Sequence, residues 1–127
     1  MTSLRQSPSS SKLIDWQQAG DAVAGEVAAL EEVATAALQE FPELLETLEQ
    51  SLSQQDFDTS RRAAHTIKSS SRILCASKVI DLSVEAEDAA TACDASRVHA
   101  AARELRGMIY QVSQEIDAFL HESERKH

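Results

Sequence analysis

The segment "AAHTIKSSSRI" at positions 63–73 sets a histidine among cations in an otherwise acidic chain. His65, Lys68, Ser69 and Arg72 stand at i, i+3, i+4 and i+7, so on a helix they share one face. Arg61 and Arg62 lie one turn earlier, on or beside that face. Ala64 and Ile67 turn the other way, which puts His65 at the rim of a core with its ring open to solvent. A neutral imidazole nitrogen is a nucleophile near neutral pH. A phosphoryl group accepted there would bring negative charge, and a lysine one turn away is placed to neutralise it. The same lysine opposes a second positive charge on the ring, favouring the neutral, nucleophilic form. Small serines leave room for another protein's active site to approach. On spacing alone, however, a solvated helix face is the commoner origin of such a pattern.

The elements that must hold this face read as helices. Gly occurs three times and Pro twice, while Ala, Leu, Glu, Gln and Ser recur, a composition that favours helix and supplies few turns. A short first helix is expected at about 14–23, with Gly20 and Gly25 weakening its end. A long one follows at about 26–52, with Val27, Leu30, Val33, Ala34, Ala37, Leu38 and Phe41 at helical spacing. Pro42 should kink or interrupt it, yet Leu45, Leu48 and Leu52 resume in register, predicting one bent helix. Asp56 is a cap for a third helix at about 57–74, with Phe57, Ala64, Ile67, Ser71 and Leu74 as its buried stripe. Ser77 is the expected cap of a fourth at 78–93, with Val79, Leu82, Ala86 and Ala89 inward. Asp94 caps a last helix at about 95–121, whose stripe runs Val98, Ala102, Leu105, Ile109, Val112, Ile116 and Leu120. The fold class is therefore all-α: an antiparallel up-down-up-down four-helix bundle, with the short N-terminal helix covering one end. Trp16 is expected to pack as a lid over that end, a partner contact being the other reading. The domain spans 13–121, between a disordered tail at 1–12 and a frayed C-terminal tail at 122–127.

Composition also excludes functions. Net charge is −9, and no long basic run exists to displace the counterions of a phosphate backbone, so nucleic acid is not an expected partner. No apolar run approaches the ~20 residues of a membrane span, and the N-terminus lacks a signal peptide's apolar stretch. Cys75 and Cys93 have no zinc spacing and read as reduced, partly buried thiols. Together these point to a soluble, cytoplasmic protein, with a monomer as the simplest state. A di-metal bundle would need inward Glu-x-x-His pairs, and His65, His99 and His121 have no glutamate three residues earlier. His99, His121 and His127 read as surface histidines. No GxxxxGK[ST] loop is present, so the chain does not use ATP itself.

At this point the residues resemble a known family. "AAHTIKSSSRILCASKVIDLSVEAEDAA" resembles the signature of histidine-containing phosphotransfer (HPt) domains, roughly A-H-x-L-K-G-S-[SA], then a short turn and a helix with spaced leucines and an acidic residue. "LQEFPELLETLEQSL" resembles the family's second helix, proline included, and "QQDFDTSRRAAH" its acidic-aromatic entry into the histidine helix. The resemblance covers about 14–120. It implies that His65 is the phosphorylated histidine, that Lys68 is the lysine beside the phosphoryl group, and that Ser70 and Ser71 are the small residues following. Glu87 matches a common acidic position, with a structural role expected. Two positions depart: Ser69 stands where a glycine lets a receiver domain approach closely, and Cys75 where a glycine usually closes the helix. A hydroxyl at Ser69 would be able to donate to the phosphoryl group.

The function so implied is a phosphorelay intermediate. His65 would accept a phosphoryl group from a receiver aspartate, often in a hybrid sensor histidine kinase, and pass it to the receiver of a response regulator. It would be a phosphoryl carrier rather than a kinase, with no cofactor of its own, the receiver bringing Mg²⁺ and most catalytic groups. Arg61, Arg62, Ser69 and Arg72 are the candidate partner-binding residues; the arginines would meet acids around a receiver's aspartate pocket, or else be solvated or paired on their own helix. The alternative is a bundle that binds or sequesters a receiver without phosphotransfer.

Overall fold

The computed structural model describes residues 12–126, so the expected tail at 1–12 lies outside the described residues except for the exposed Lys12. Five helices follow one another: α1 (Trp16–Ala22), α2 (Val27–Ser53), α3 (Phe57–Ile73), α4 (Ser77–Thr91) and α5 (Ala95–Lys126). Each long helix packs on its chain neighbours, and α2 closes against α5, so the four form a ring in the order α2–α3–α4–α5. Short connections make neighbours antiparallel, as expected for an up-down-up-down bundle.

The core is built from aliphatic stripes at helical spacing. Phe41, Leu48, Ile67, Leu74, Leu105 and Ile116 are the largest fully buried side chains. Alanines at 34, 37, 63, 64, 86, 89, 90, 101 and 102 are also buried, and their small size lets the helices approach closely. The buried hydroxyls of Ser51, Ser60, Ser71 and Ser83 bond carbonyls one turn back, so none is left unsatisfied. Helix α2 continues through Pro42 without a break. Phe41 and Leu45, buried on either side, hold the register across the missing donor.

The three turns between long helices share one geometry. At each, a non-glycine residue adopts the left-handed conformation: Gln55 (φ 58°), Cys75 (φ 56°) and Cys93 (φ 55°). Each turn carries the paired bonds of a Schellman motif; at the second, Cys75 N–H donates to Arg72 O at 3.1 Å and Ala76 N–H to Ser71 O at 3.0 Å. Helix α3 thus ends cleanly without the family's glycine. This closure also corrects the expected cap of α4. Buried Ala76 occupies the N-cap with no side-chain bond, and Ser77 is the first helical residue. Asp56 and Asp94 cap as expected, accepting from Thr59 N–H and Arg97 N–H at 3.2 Å each.

A second correction concerns the C-terminus. Where a frayed tail was expected from residue 122, α5 continues to Lys126. The extra turn packs across the start of α2, where buried Ser123 donates to Glu31. His127 lies outside the described residues.

Helix α1 covers the end where α3 stops and α4 begins. Trp16 stacks on Phe119, ring centroids 4.1 Å apart. One carboxylate, Glu115, accepts from Leu13 N–H (2.8 Å), Ile14 N–H (3.1 Å) and Trp16 Nε1–H (3.1 Å). Asp15 N–H donates to Cys75 O at 3.2 Å, tying the cover to the α3–α4 turn. No described helix is long and apolar enough to cross a membrane.

Candidate functional site

Helix α3 buries Ala63, Ala64, Ile67 and Ser71, and this fixes which residues it turns outward. His65 faces solvent with its side chain 55% exposed. Its neighbour is not on its own helix. Small buried residues on both helices, Ala64 and Ser71 on α3 and Ser83 and Ala86 on α4, bring α4 close enough for Glu87 to reach across. Glu87 Oε2 lies 3.0 Å from His65 Nδ1, and Glu87 Oε1 lies 2.8 Å from Lys68 Nζ. One carboxylate therefore grips both the imidazole and the lysine.

That grip has chemical consequences. The hydrogen bond from the Lys68 ammonium holds the Glu87 carboxyl below its ordinary range; burial opposes this, and the bond from His65 adds to it. An ionised carboxylate only accepts, so the neutral ring must carry its proton on Nδ1. The lone pair then sits on Nε2. Lys68 and Glu87 are sheltered, at 16% and 19% exposure, so their charges are partly shielded from water while the ring is not.

The other expected site residues are placed differently. Arg61 and Arg62 both pair with Asp58, at 2.8 and 3.2 Å. This favours the reading in which they are matched on their own helix. Their guanidinium groups pull the Asp58 carboxyl down, the Arg61 hydrogen bond most. Ser69 is exposed, but its hydroxyl donates to the His65 carbonyl at 3.2 Å and not toward the ring. Arg72 is exposed and forms no ion pair among the described residues. Ser71 is a core residue, bonded to Lys68 O at 3.0 Å. Glu87 was expected to be structural, and its position between His65 and Lys68 is what the sequence could not show. It lies 22 residues from the histidine, on another helix, outside any local spacing rule. Of the other histidines, His99 is exposed on α5, and His121 Nδ1 lies 2.8 Å from Asp117 O on the same helix.

The four antiparallel helices thus present His65 to solvent, with the Glu87–Lys68 pair behind its ring. The chain belongs to the Hpt domain family, which it matches over residues 32–122. Histidine phosphotransfer in two-component phosphorelays is that family's activity, and receiver domains are its partners. The fold is also similar to the crystal structure of the HPT domain of a sensor hybrid histidine kinase from Shewanella. The TM-score is 0.77 at 18% identity, covering 87% of this chain and 95% of that one. No curated protein matches the chain.

Proposed function

We propose that the protein is a phosphorelay intermediate whose acceptor atom is Nε2 of His65. Nε2 attacks the phosphorus of an aspartyl phosphate on a receiver domain. The Nε2–P bond forms, the P–O bond to the aspartate breaks, and the carboxylate leaves with the bonding pair. No proton has to depart, because Nδ1 keeps its hydrogen. The ring becomes formally cationic, and the Glu87 carboxylate neutralises it. Lys68, one turn from the histidine, offers ammonium protons to the phosphoryl oxygens. Attack by the aspartate of a second receiver reverses every step. Mg²⁺ belongs to the receiver's site in this scheme, and the relay works on a single chain in the cytoplasm. Of the three expected arginines, Arg72, which forms no ion pair among the described residues, would meet acids at the receiver's rim, with Ser69 presenting a small surface beside the ring.

The observation that carries this reading is the bond from Nδ1 to Glu87 on a ring otherwise open to solvent. The test is transfer from a panel of phosphorylated receiver domains in Mg²⁺, beside the His65→Gln variant. Acid-labile, base-stable phosphate on the wild type alone is the expected result. A folded protein that binds a receiver yet takes up no phosphate would instead make it a scaffold.

A further inference from the structure

The seam between α2 and α5 lies across the ring from the α3–α4 seam that carries His65. A groove of ≈ 910 Å³ opens there, lined by Leu38, Pro42, Leu45, Gly107, Ile109 and Tyr110. Two of these residues are unexplained by the fold. Gly107 sits deep inside α5, where glycine is less favourable than alanine, and a Cβ added to it would meet nothing within 4 Å. The bundle therefore does not need a glycine there; the groove gains its width from one. Tyr110 is 65% exposed, the most exposed large apolar side chain among the described residues. Its hydroxyl is engaged only within its own helix, by Gln114 Nε2 at 3.1 Å.

Charge specifies what would fit. Helix α2 carries six glutamates and no lysine or arginine; Glu40 and Glu43 face α3, Glu31 and Glu32 lie nearer its start, and Glu46 and Glu49 stand at the groove. Glu46 lines the groove, and Glu49 lines it while paired with Arg106 from the opposite wall. A second copy of this chain, with net charge −9, would be repelled. The wall formed by α5 spans residues 106–113, about 10 Å at 1.5 Å per residue, or two helical turns. That length suits apolar anchors at i, i+3 or i+4, and i+7 of a docked helix.

We propose that the α2–α5 groove docks a basic amphipathic helix of a protein partner. Its apolar side chains enter the notch at Gly107 against Ile109 and Leu45. Its lysines or arginines reach Glu46 and the face of Tyr110. Because the groove is across the bundle from His65, such a partner would hold the module while leaving the histidine free for receivers. The proposal does not depend on the phosphotransfer reading.

The probe is an amidated Leu/Lys peptide of about 14 residues with amphipathic helical patterning, followed by fluorescence anisotropy and by amide shifts of the full chain. Saturable binding is expected, with shifts at Gly107, Tyr110 and Glu46. Tyr110→Ala should weaken it at least about tenfold. Gly107→Trp, which fills the notch, should abolish it with helicity and the cooperative unfolding transition retained. A Leu/Glu peptide should not bind. Absent binding, shifts confined to the outer carboxylates of α2, affinity indifferent to Gly107→Trp, or equal binding of the Leu/Glu peptide would each overturn the proposal. So would self-association in sedimentation that Gly107→Trp removes, since that gives the groove to a second copy.

Discussion

Replacing Glu87 by glutamine separates the two things its carboxylate does for His65. The amide is nearly isosteric, and its oxygen still accepts from Nδ1–H, so the ring keeps its tautomer and direction. What disappears is the negative charge 3.0 Å from Nδ1. A full positive charge about 4 Å from a carboxylate is stabilised by about 1 kcal/mol in bulk water and about 4 kcal/mol at an effective dielectric of 20. Glu87 is sheltered at 19% exposure while the ring is 55% exposed, which places the pair between these limits. Half-developed charge in the transition state then gives about 1–1.5 kcal/mol, or roughly tenfold in rate. Rapid-quench transfer from a phosphorylated receiver should show this loss in Glu87→Gln. The phosphohistidine should also become less favoured at equilibrium, because its ring carries the whole charge. Glu87→Ala should be slower still, since the ring is then free to turn and to change tautomer. Transfer at the wild-type rate in both variants would refute the account, because no coupling between carboxylate and ring would remain.

Three further outcomes are expected. Gln55→Gly and Cys93→Gly relieve left-handed strain at exposed turn residues, and each should stabilise the fold by about 0.5–1 kcal/mol after glycine's greater unfolded-state freedom is counted. Thermal unfolding would read each as a rise of a few degrees, and a fall would show that the turns are not strained. Gly107→Ala should add about 1 kcal/mol, with no clash to offset it, measured by urea midpoint. The carboxyls of Asp56, Asp58, Glu85 and Glu87 are all held below their ordinary range. The unfolded chain therefore takes up protons first as pH falls. The stability these groups confer is present above their ordinary titration range and lost as pH drops through their lowered values. Urea midpoints from pH 6 to pH 3 should decline accordingly, and a rising midpoint would contradict the pairings.

Much of this molecule can be read from residue order, because periodicity and caps are local. The buried stripes of α3 and α5 follow from spacing, and Asp56 and Asp94 cap as side-chain chemistry requires. What escaped depends on neighbours distant in sequence. Ser77 looked like a cap, but the Schellman closure through Cys75 moves the boundary to Ala76. The polar end "ESERKH" offered no apolar stripe, and its helix is supported by a contact with Glu31 near the start of α2. Pro42, by contrast, was expected to leave one helix because Leu45, Leu48 and Leu52 resume in register, and α2 does run through it. Spacing put His65 and Lys68 on one helix face and the family resemblance singled them out, but Glu87 comes between them only when α4 folds back on α3.

The manner in which α1 is fastened also determines what an optical experiment on this protein reports. Trp16 is the chain's one tryptophan, and it sits in the segment that Glu115 and Phe119 hold against the bundle. Helix α1 is the shortest of the described helices, and side-chain ties to α5 fasten it. It is the part most able to open by itself, as a separate cooperative unit. Tryptophan emission consequently follows the undocking of α1, whereas the circular dichroism signal follows the four long helices. The two transitions would separate along a denaturant axis, and a stability taken from fluorescence alone would describe the lid and not the bundle that carries His65.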